Sequence, residues 1–268
     1  MTLRVVRADP AGNITLLVLD PVAPADRPGV ARRLLAIPDL AAEQVGFILP
    51  PSQGGVLRLA MMGGEFCGNA LRSAGAWFAL QNNLRAETVF PVEVAGSNGL
   101  FQVTTDLAHG AAWAEMPLPE QIDENFPLSD RTFCPQAVVV RFPGIAHALL
   151  PGCRPDKLPP ERVASQLCRV LQSAAVGVLY LDVPRRQLQP VVYVRATDTL
   201  VFENSCASGS AAVAAWLCRS RPDGLCTYDI RQPGGTISAQ VRRQDGKITS
   251  LVVGGHIALE PVQTLSLS

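Results

Sequence analysis

Two cysteines stand in matched surroundings. Cys67 lies in GGEFCGNALRSAGAWF (63–78) and Cys206 in FENSCASGSAAVAAWL (202–217). Each is followed by a run of small residues, with a tryptophan ten positions on, Trp77 and Trp216. Those runs are expected to be helices, which puts each thiol at or just before a helix N-terminus. There the first backbone N–H groups lack an intrahelical acceptor and the macrodipole is positive. A thiol in that position is expected to fall from about 8.5 toward neutrality. The same N–H groups can hold a carboxylate, and Gly and Ser neighbours allow a close approach. If the two halves pack face to face, two such thiols flank one bound carboxylate. They would then suit removal of the proton α to that carboxylate on one face and its return on the other. This chemistry needs no external cofactor. No lysine has an obvious pyridoxal-phosphate setting, and neither a GxGxxG segment nor a P-loop is present. A single cysteine among small residues is more often a packing residue. The repetition of the context is what distinguishes these two.

The elements that must carry the thiols repeat as well, which points to a diverged internal duplication. A β-like run precedes each cysteine, GVLRLAMM and PVVYVRATDTLVF, and a stop follows each helix, QNN at 81–83 and RPDG at 221–224. Further out, VVRADPAGN leads to Asn13 and VVVRFPGIAH to His147. A strand and glycine turn then follow, with Gly96 lying 29 residues past Cys67 and Gly234 28 residues past Cys206. The expected fold class is α+β, with two similar pseudo-symmetric domains. Each would be a mostly antiparallel sheet wrapped around a central helix rich in small residues. The Pro-rich polar stretch 117–135 places the boundary so that residues 1–125 carry Cys67 and residues 126–268 carry Cys206, with the terminal strand free to cross back. GVARRLLAI and PPERVASQLCRVLQ are expected to be surface helices.

Bulk composition narrows the function classes. The 268 residues are 48% hydrophobic and 17% charged, enough for a sizeable core. Lys+Arg and Asp+Glu both number 23, so no nucleic-acid partner is indicated. No apolar run reaches the length of a membrane span, and the first residues lack a secretory h-region. The seven cysteines include no C-x-x-C pair and the three histidines are scattered, so no metal site is expected. The thiols are expected to be reduced and the compartment cytoplasmic. Cys134, Cys153, Cys168, Cys218 and Cys226 are expected to be small buried apolar residues. A homodimer is an open option for the assembly state.

At EFCGNALRS and ENSCASGSA the chain resembles the diaminopimelate epimerase superfamily, cofactor-independent two-cysteine enzymes of two similar α/β domains. The resemblance extends to PAGNITLLV, AEQVGFIL, QPGGTI and VVGGHIALE. Some departures argue against diaminopimelate as substrate: Ile145 stands in GIAH where an asparagine is expected, RATDTL replaces a Glu-Arg pair, and the second motif is C-A-S-G. Within the superfamily the chain is more similar to the histidine racemases of staphylopine-type opine metallophore biosynthesis. It shares with them Pro10–Thr15, Glu43–Ile48, Glu65–Ala70, Leu188–Tyr193, Glu203–Gly209 and Gln232–Gly235, with Ala207 in place of a glycine.

The resemblance implies interconversion of L- and D-histidine, with Cys67 and Cys206 as the acid/base pair. Backbone groups of Gly68, Asn69, Ser208 and Gly209 would clamp the α-carboxylate. Asn13, Gln44 and Asn69 would hold polar parts of the substrate, and Glu203 its α-amino group or the thiol. His147, Glu43 and Glu65 are candidates for tuning. Each polar residue has a simpler use as a turn or cap partner. Three alternatives stay open: an epimerase of diaminopimelate or a racemase of another amino acid, a phenazine-biosynthesis-like isomerase, and a non-catalytic amino-acid-binding module.

Overall fold

The computed structural model describes residues 1–128, 137–195 and 198–267. The chain divides into two compact units, Met1–Glu115 with Gly254–Ser268, and Met116–Val253. Among the described residues there are four α-helices: α1 (Arg27–Leu35), α2 (Gly68–Gln81), α3 (Pro160–Leu171) and α4 (Ala207–Cys218). Sheets of both parallel and antiparallel pairing make up most of the rest. No helix among the described residues is long and apolar enough to cross a membrane.

In the first unit the strand Thr2–Asp9 runs antiparallel to Thr15–Val18 on one side and to the C-terminal pieces Ala258–Leu259 and Gln263–Ser266 on the other. Thr15–Val18 pairs in parallel with Gln44–Leu49 in the register Thr15↔Gln44. Gln44–Leu49 is antiparallel to Arg58–Met61, and Arg58–Met61 runs parallel to Thr88–Val94. The strands Leu100–Asp106 and Ala111–Glu115 continue from Thr88–Val94 as an antiparallel meander.

Alternation along these strands sorts their side chains onto two faces. Leu3, Val5, Leu16, Val18, Val45 and Phe47 join Val30, Ala31 and Leu34 of α1. Val6, Leu17, Leu59, Met61, Phe90 and Val103 join Ala70, Leu71 and Ala74 of α2. Helix α2 lies against strands nearly all along its length, and only a slender helix fits there. A Cβ at Gly75 would come within 2.4 Å of Val103 Cγ1. The run NALRSAGAWFAL supplies that slenderness, and ten of the helix's residues, from Gly68 to Ala79, are buried.

The second unit follows the same local logic. Gln121–Phe126, Ala137–Phe142 and Ile145–Pro151 are successive antiparallel neighbours. Ile145–Pro151 runs parallel to Ala175–Asp182, which pairs antiparallel with Gln187–Val194, and that strand with Thr199–Phe202. The long hairpin Gly224–Gln232/Gly235–Gln244 touches this sheet at Gln187↔Arg231. One face, with Ala146, Ala148, Leu150, Val176, Val178 and Tyr180, packs on Val163, Ala164 and Leu167 of α3. The opposite face meets α4, whose Ala211–Ala215 stretch is wholly buried. Both α1 and α3 carry proline in the first turn, where its missing N–H costs no helical bond. They stand where the amphipathic runs of the sequence place helices.

Of the cysteines expected to be packing residues, Cys153 and Cys218 are buried, while Cys168 and Cys226 are only half-buried. Cys226 sits beside Cys218 near the exposed start of the strand Gly224–Gln232. Cys134 falls outside the described residues.

Candidate active site

Each of the two cysteines is the N-cap of a buried helix. Cys67 has φ −129° and ψ 111°, Cys206 φ −126° and ψ 112°. Those extended angles turn the side chain back over the first turn, where a Ser or Asp would normally cap. The sulfurs take that place. Cys67 Sγ accepts from the Ala70 N–H and Cys206 Sγ from the Gly209 N–H, both at 3.4 Å.

Around Cys67 the first unit gathers residues from three places in the chain. The thiol donates to Gln44 Oε1 at 2.8 Å. Asn69 Nδ2 donates to Asn13 Oδ1 (3.2 Å), and Asn13 Nδ2 to Glu43 Oε2 (2.7 Å). Asn13 and Asn69 are each 1% exposed. They are brought together because Thr15–Val18 and Gln44–Leu49 start side by side, so the residues just ahead of both strands converge on the N-terminus of α2. Gly68 is buried in the first turn. Glu65 stands apart: it is exposed, its carboxylate folded over Gly63.

Around Cys206 the second unit gathers a different set. Its backbone N–H donates to Gln232 Oε1 (2.8 Å), and Gln232 Nε2 donates to Ser210 Oγ (2.9 Å). The Ser210 hydroxyl closes the circuit by donating to the Cys206 carbonyl (2.9 Å). On the other side the Ser208 hydroxyl lies 3.5 Å from the sulfur and 2.9 Å from His147 Nε2. His147 is wholly buried on the α4 side of its strand, and burial pushes its imidazole down to about 3, so it is neutral. Gly177 on the adjacent strand makes room for the ring: a Cβ there would lie 2.0 Å from Nδ1.

The Cys206 thiol departs from the expectation set by helix position. Burial, then the charge of Glu203, push it well above the ordinary thiol range. The Ser208 hydroxyl and the Gly209 N–H oppose this and are outweighed. Burial and a neighbouring anion both raise a thiol and oppose the helix N-terminus; here the sulfur is enclosed and its charged neighbour is an anion. The Gly209 N–H, expected to serve a carboxylate, is aimed at the sulfur instead.

The pattern of residue types did not single out three members of these clusters. Arg72 is fully buried on α2. Gln232 lies in the QPGG segment, which was legible as a turn but not as the anchor of the Cys206 backbone. Ser210 looked like one more small residue of the helix. Among the described residues no group of three or more His, Cys, Asp and Glu could hold a metal ion.

The fold is shared with solved epimerases, racemases and isomerases. A hydroxyproline epimerase from Agrobacterium vitis, solved with bound trans-4-hydroxy-L-proline, superposes with a TM-score of 0.70 over 99% of this chain and 93% of that one, at 12% identity. The chain belongs to the family described as the histidine racemase CntK N-terminal domain, which it matches over residues 2–261. A histidine racemase of Staphylococcus aureus (strain Mu50) is 27% identical over 251 residues, 88% of this chain and 87% of that protein. A histidine racemase of Fusobacterium nucleatum subsp. nucleatum is 28% identical over 238 residues, 86% of each. The protein is thus an isomerase, an amino-acid racemase.

Proposed function

We propose that this racemase interconverts L- and D-histidine, with Cys67 and Cys206 as its two acid/base groups. The observation that carries the reading is the matched setting of the two sulfurs: the same N-cap geometry within a few degrees, the same N–H contact at 3.4 Å, the same kind of buried small-residue helix. Two thiols held alike in two units of like plan suit a reaction whose two directions are chemically alike. One sulfur, as thiolate, takes the α-proton from one face of the substrate; the other, as thiol, supplies a proton to the opposite face, and the return reaction exchanges the roles. The pseudo-symmetry of the two units and their origin in one duplicated plan belong to the same reading.

The remaining roles follow from the contacts. Gln44 suits a group that alternates between thiol and thiolate, since its amide can accept through Oε1 or donate through Nε2. Asn13 and Asn69 tie Glu43 to the first turn of α2. Backbone N–H groups of Gly68, Asn69 and Ser208 are the candidates for the α-carboxylate. Glu43 and Glu203 are the candidates for the α-ammonium group. His147 and Ser208 orient the second thiol. Histidine as substrate is supported by the family and by the relatives, and D-histidine produced in this way would suit assembly of an opine-type metallophore.

The test is incubation with L-histidine in D₂O, following loss of the α-proton by NMR and appearance of D-histidine by chiral chromatography. Exchange and racemisation with the chain as it is, and loss of racemisation in Cys67→Ser and in Cys206→Ser, are expected. Full activity in either serine variant would overturn the two-thiol mechanism. Exchange with another amino acid but none with histidine would overturn the substrate. Binding of histidine by calorimetry without any exchange would mark a non-catalytic binding protein.

A further inference from the structure

Arg72 is a charged group for which packing gives no reason. It is 0% exposed, the largest wholly buried side chain among the described residues, and lies on α2 five residues after Cys67. Side chains on a helix lean toward its N-terminus, and this one does so. Nε donates to Asn69 Oδ1 in the first turn (3.2 Å), and Nη1 donates to the carbonyls of His256 (2.9 Å) and Gly255 (3.3 Å). Nη2 is buried with no hydrogen-bond partner, and among the described residues no carboxylate forms an ion pair with the guanidinium. An unpaired buried cation is costly, and a glutamine or methionine would fill similar space without that cost. Neutral carbonyls and an amide satisfy some of its donors but do not balance its charge. The acidic groups near enough to hold its charge are Asp9 and, when ionised, Cys67.

We propose that Arg72 is a positioning residue that supplies the counter-charge for the Cys67 thiolate, so that the resting enzyme carries its thiolate at position 67 and its thiol at position 206. The proposal rests on Cys67 and Cys206 being the acid/base pair. The two settings are built with opposite sign. The first turn of α2 is backed by a cation, whereas Cys206 has the carboxylate of Glu203 beside it and a neutral imidazole behind Ser208. Burial pulls the Arg72 guanidinium down only to about 10, so it stays charged at neutral pH.

The other charged groups around Cys67 come from each element packed there. Asp9 ends the strand Thr2–Asp9, Glu43 precedes Gln44–Leu49 and is bonded to Asn13, and Glu65 precedes α2 in an exposed loop. The strand Lys247–His256 offers Arg72 only carbonyl oxygens, its His256 ring being exposed. Of the groups just named Arg72 is the cation, and its Nε is held to Asn69 in the helix turn that bears the sulfur. The enantiomer that presents its α-hydrogen to Cys67 is the one the resting enzyme accepts without a prior proton exchange.

The test uses the full chain with Cys206→Ser and follows iodoacetamide alkylation of the Cys67 peptide by mass spectrometry from pH 5 to 10. The expected midpoint lies below the free-cysteine value of about 8.5. Adding Arg72→Gln should slow alkylation at pH 7 by about tenfold, the equivalent of one unit of midpoint. Arg72→Lys should restore most of the rate by restoring the charge. A midpoint at or above about 8.5 with Arg72 present, or an unchanged profile in Arg72→Gln, overturns the proposal. Should Arg72→Gln fail to fold, Arg72→Met takes its place in the same comparison. The measurement needs no turnover, so a Cys67→Ser chain that still racemises would overturn the acid/base reading while leaving this result separately readable.

Discussion

His147 Nε2 lies 2.9 Å from the Ser208 hydroxyl, which itself lies 3.5 Å from the Cys206 sulfur. The imidazole is wholly buried, and burial, by penalising its cation, holds it down to about 3. In the unfolded chain it titrates near 6.5. Between those values the unfolded chain holds the extra proton, so stability is complete above pH 6.5 and falls as pH drops below it. The slope is up to about 1.4 kcal/mol per pH unit. Urea melts of the parent and of His147→Gln at pH 7, 6 and 5 should show the gap between them narrowing as pH falls. A constant gap would show that His147 is not buried in neutral form.

Gly177→Ala tests the same pair from the other side. The new Cβ would stand 2.0 Å from His147 Nδ1, and because Gly177 is in the middle of a paired strand, the ring must give way rather than the backbone. Overpacking of this kind costs about 1–3 kcal/mol. Displacement of the imidazole also frees the Ser208 hydroxyl, so kcat for racemisation should drop along with Tm. Loss of Tm with unchanged kcat would mean that the His147–Ser208 contact does not serve the thiol.

Gln232 accepts the Cys206 N–H at 2.8 Å and donates to Ser210 Oγ at 2.9 Å. Gln232→Leu keeps the bulk but strands that N–H inside the second unit, at a cost of about 1–3 kcal/mol, while the Ser210 hydroxyl keeps its bond to the Cys206 carbonyl. Racemisation should fall at least tenfold, since the N-cap angles of Cys206 lose their anchor. Activity within twofold of the parent would show that α4 alone fixes the cysteine.

Glu93 closes the loop ahead of Arg58–Met61. Its carboxylate accepts the N–H groups of Ser52, Gln53 and Gly55 and the Ser52 hydroxyl. Burial alone would raise this carboxyl; the N–H groups of Gln53, Ser52 and Gly55 and then the Ser52 hydroxyl outweigh it and hold the group at about 2. The folded value is depressed, so the contribution is complete above the unfolded value of about 4.3 and is lost as pH falls from there toward 2. Glu93→Gln should lower Tm at pH 7 and lose most of that deficit by pH 2.5. Thermal melts at the two pH values check this, and an equal deficit at both would mean the charge is not what pins the loop.

The small-residue runs and amphipathic segments were legible because they depend on neighbours three or four positions away. The alternation that sorts Leu16 and Leu17 onto α1 and α2 is equally local. Gln44 is legible as a polar candidate, yet its partnership with a sulfur 23 positions away depends on a parallel strand pairing. Arg72 is not legible as a site residue, because an arginine in a helix is usually solvated and only the closing of strands around α2 removes it from water.

By itself, then, the sequence determined that two cysteines would cap two buried helices, since a cap is set by the residues within one turn of it. Tertiary structure alone decided how each thiol is tuned. His147 is 61 residues from Ser208, and Gln232 is 26 from Cys206. The charged residues Arg72 and Glu203 lie close in sequence to their cysteines, but how far the sheets shut water away from them, and which distant polar groups meet each sulfur, is not encoded in a short stretch of chain.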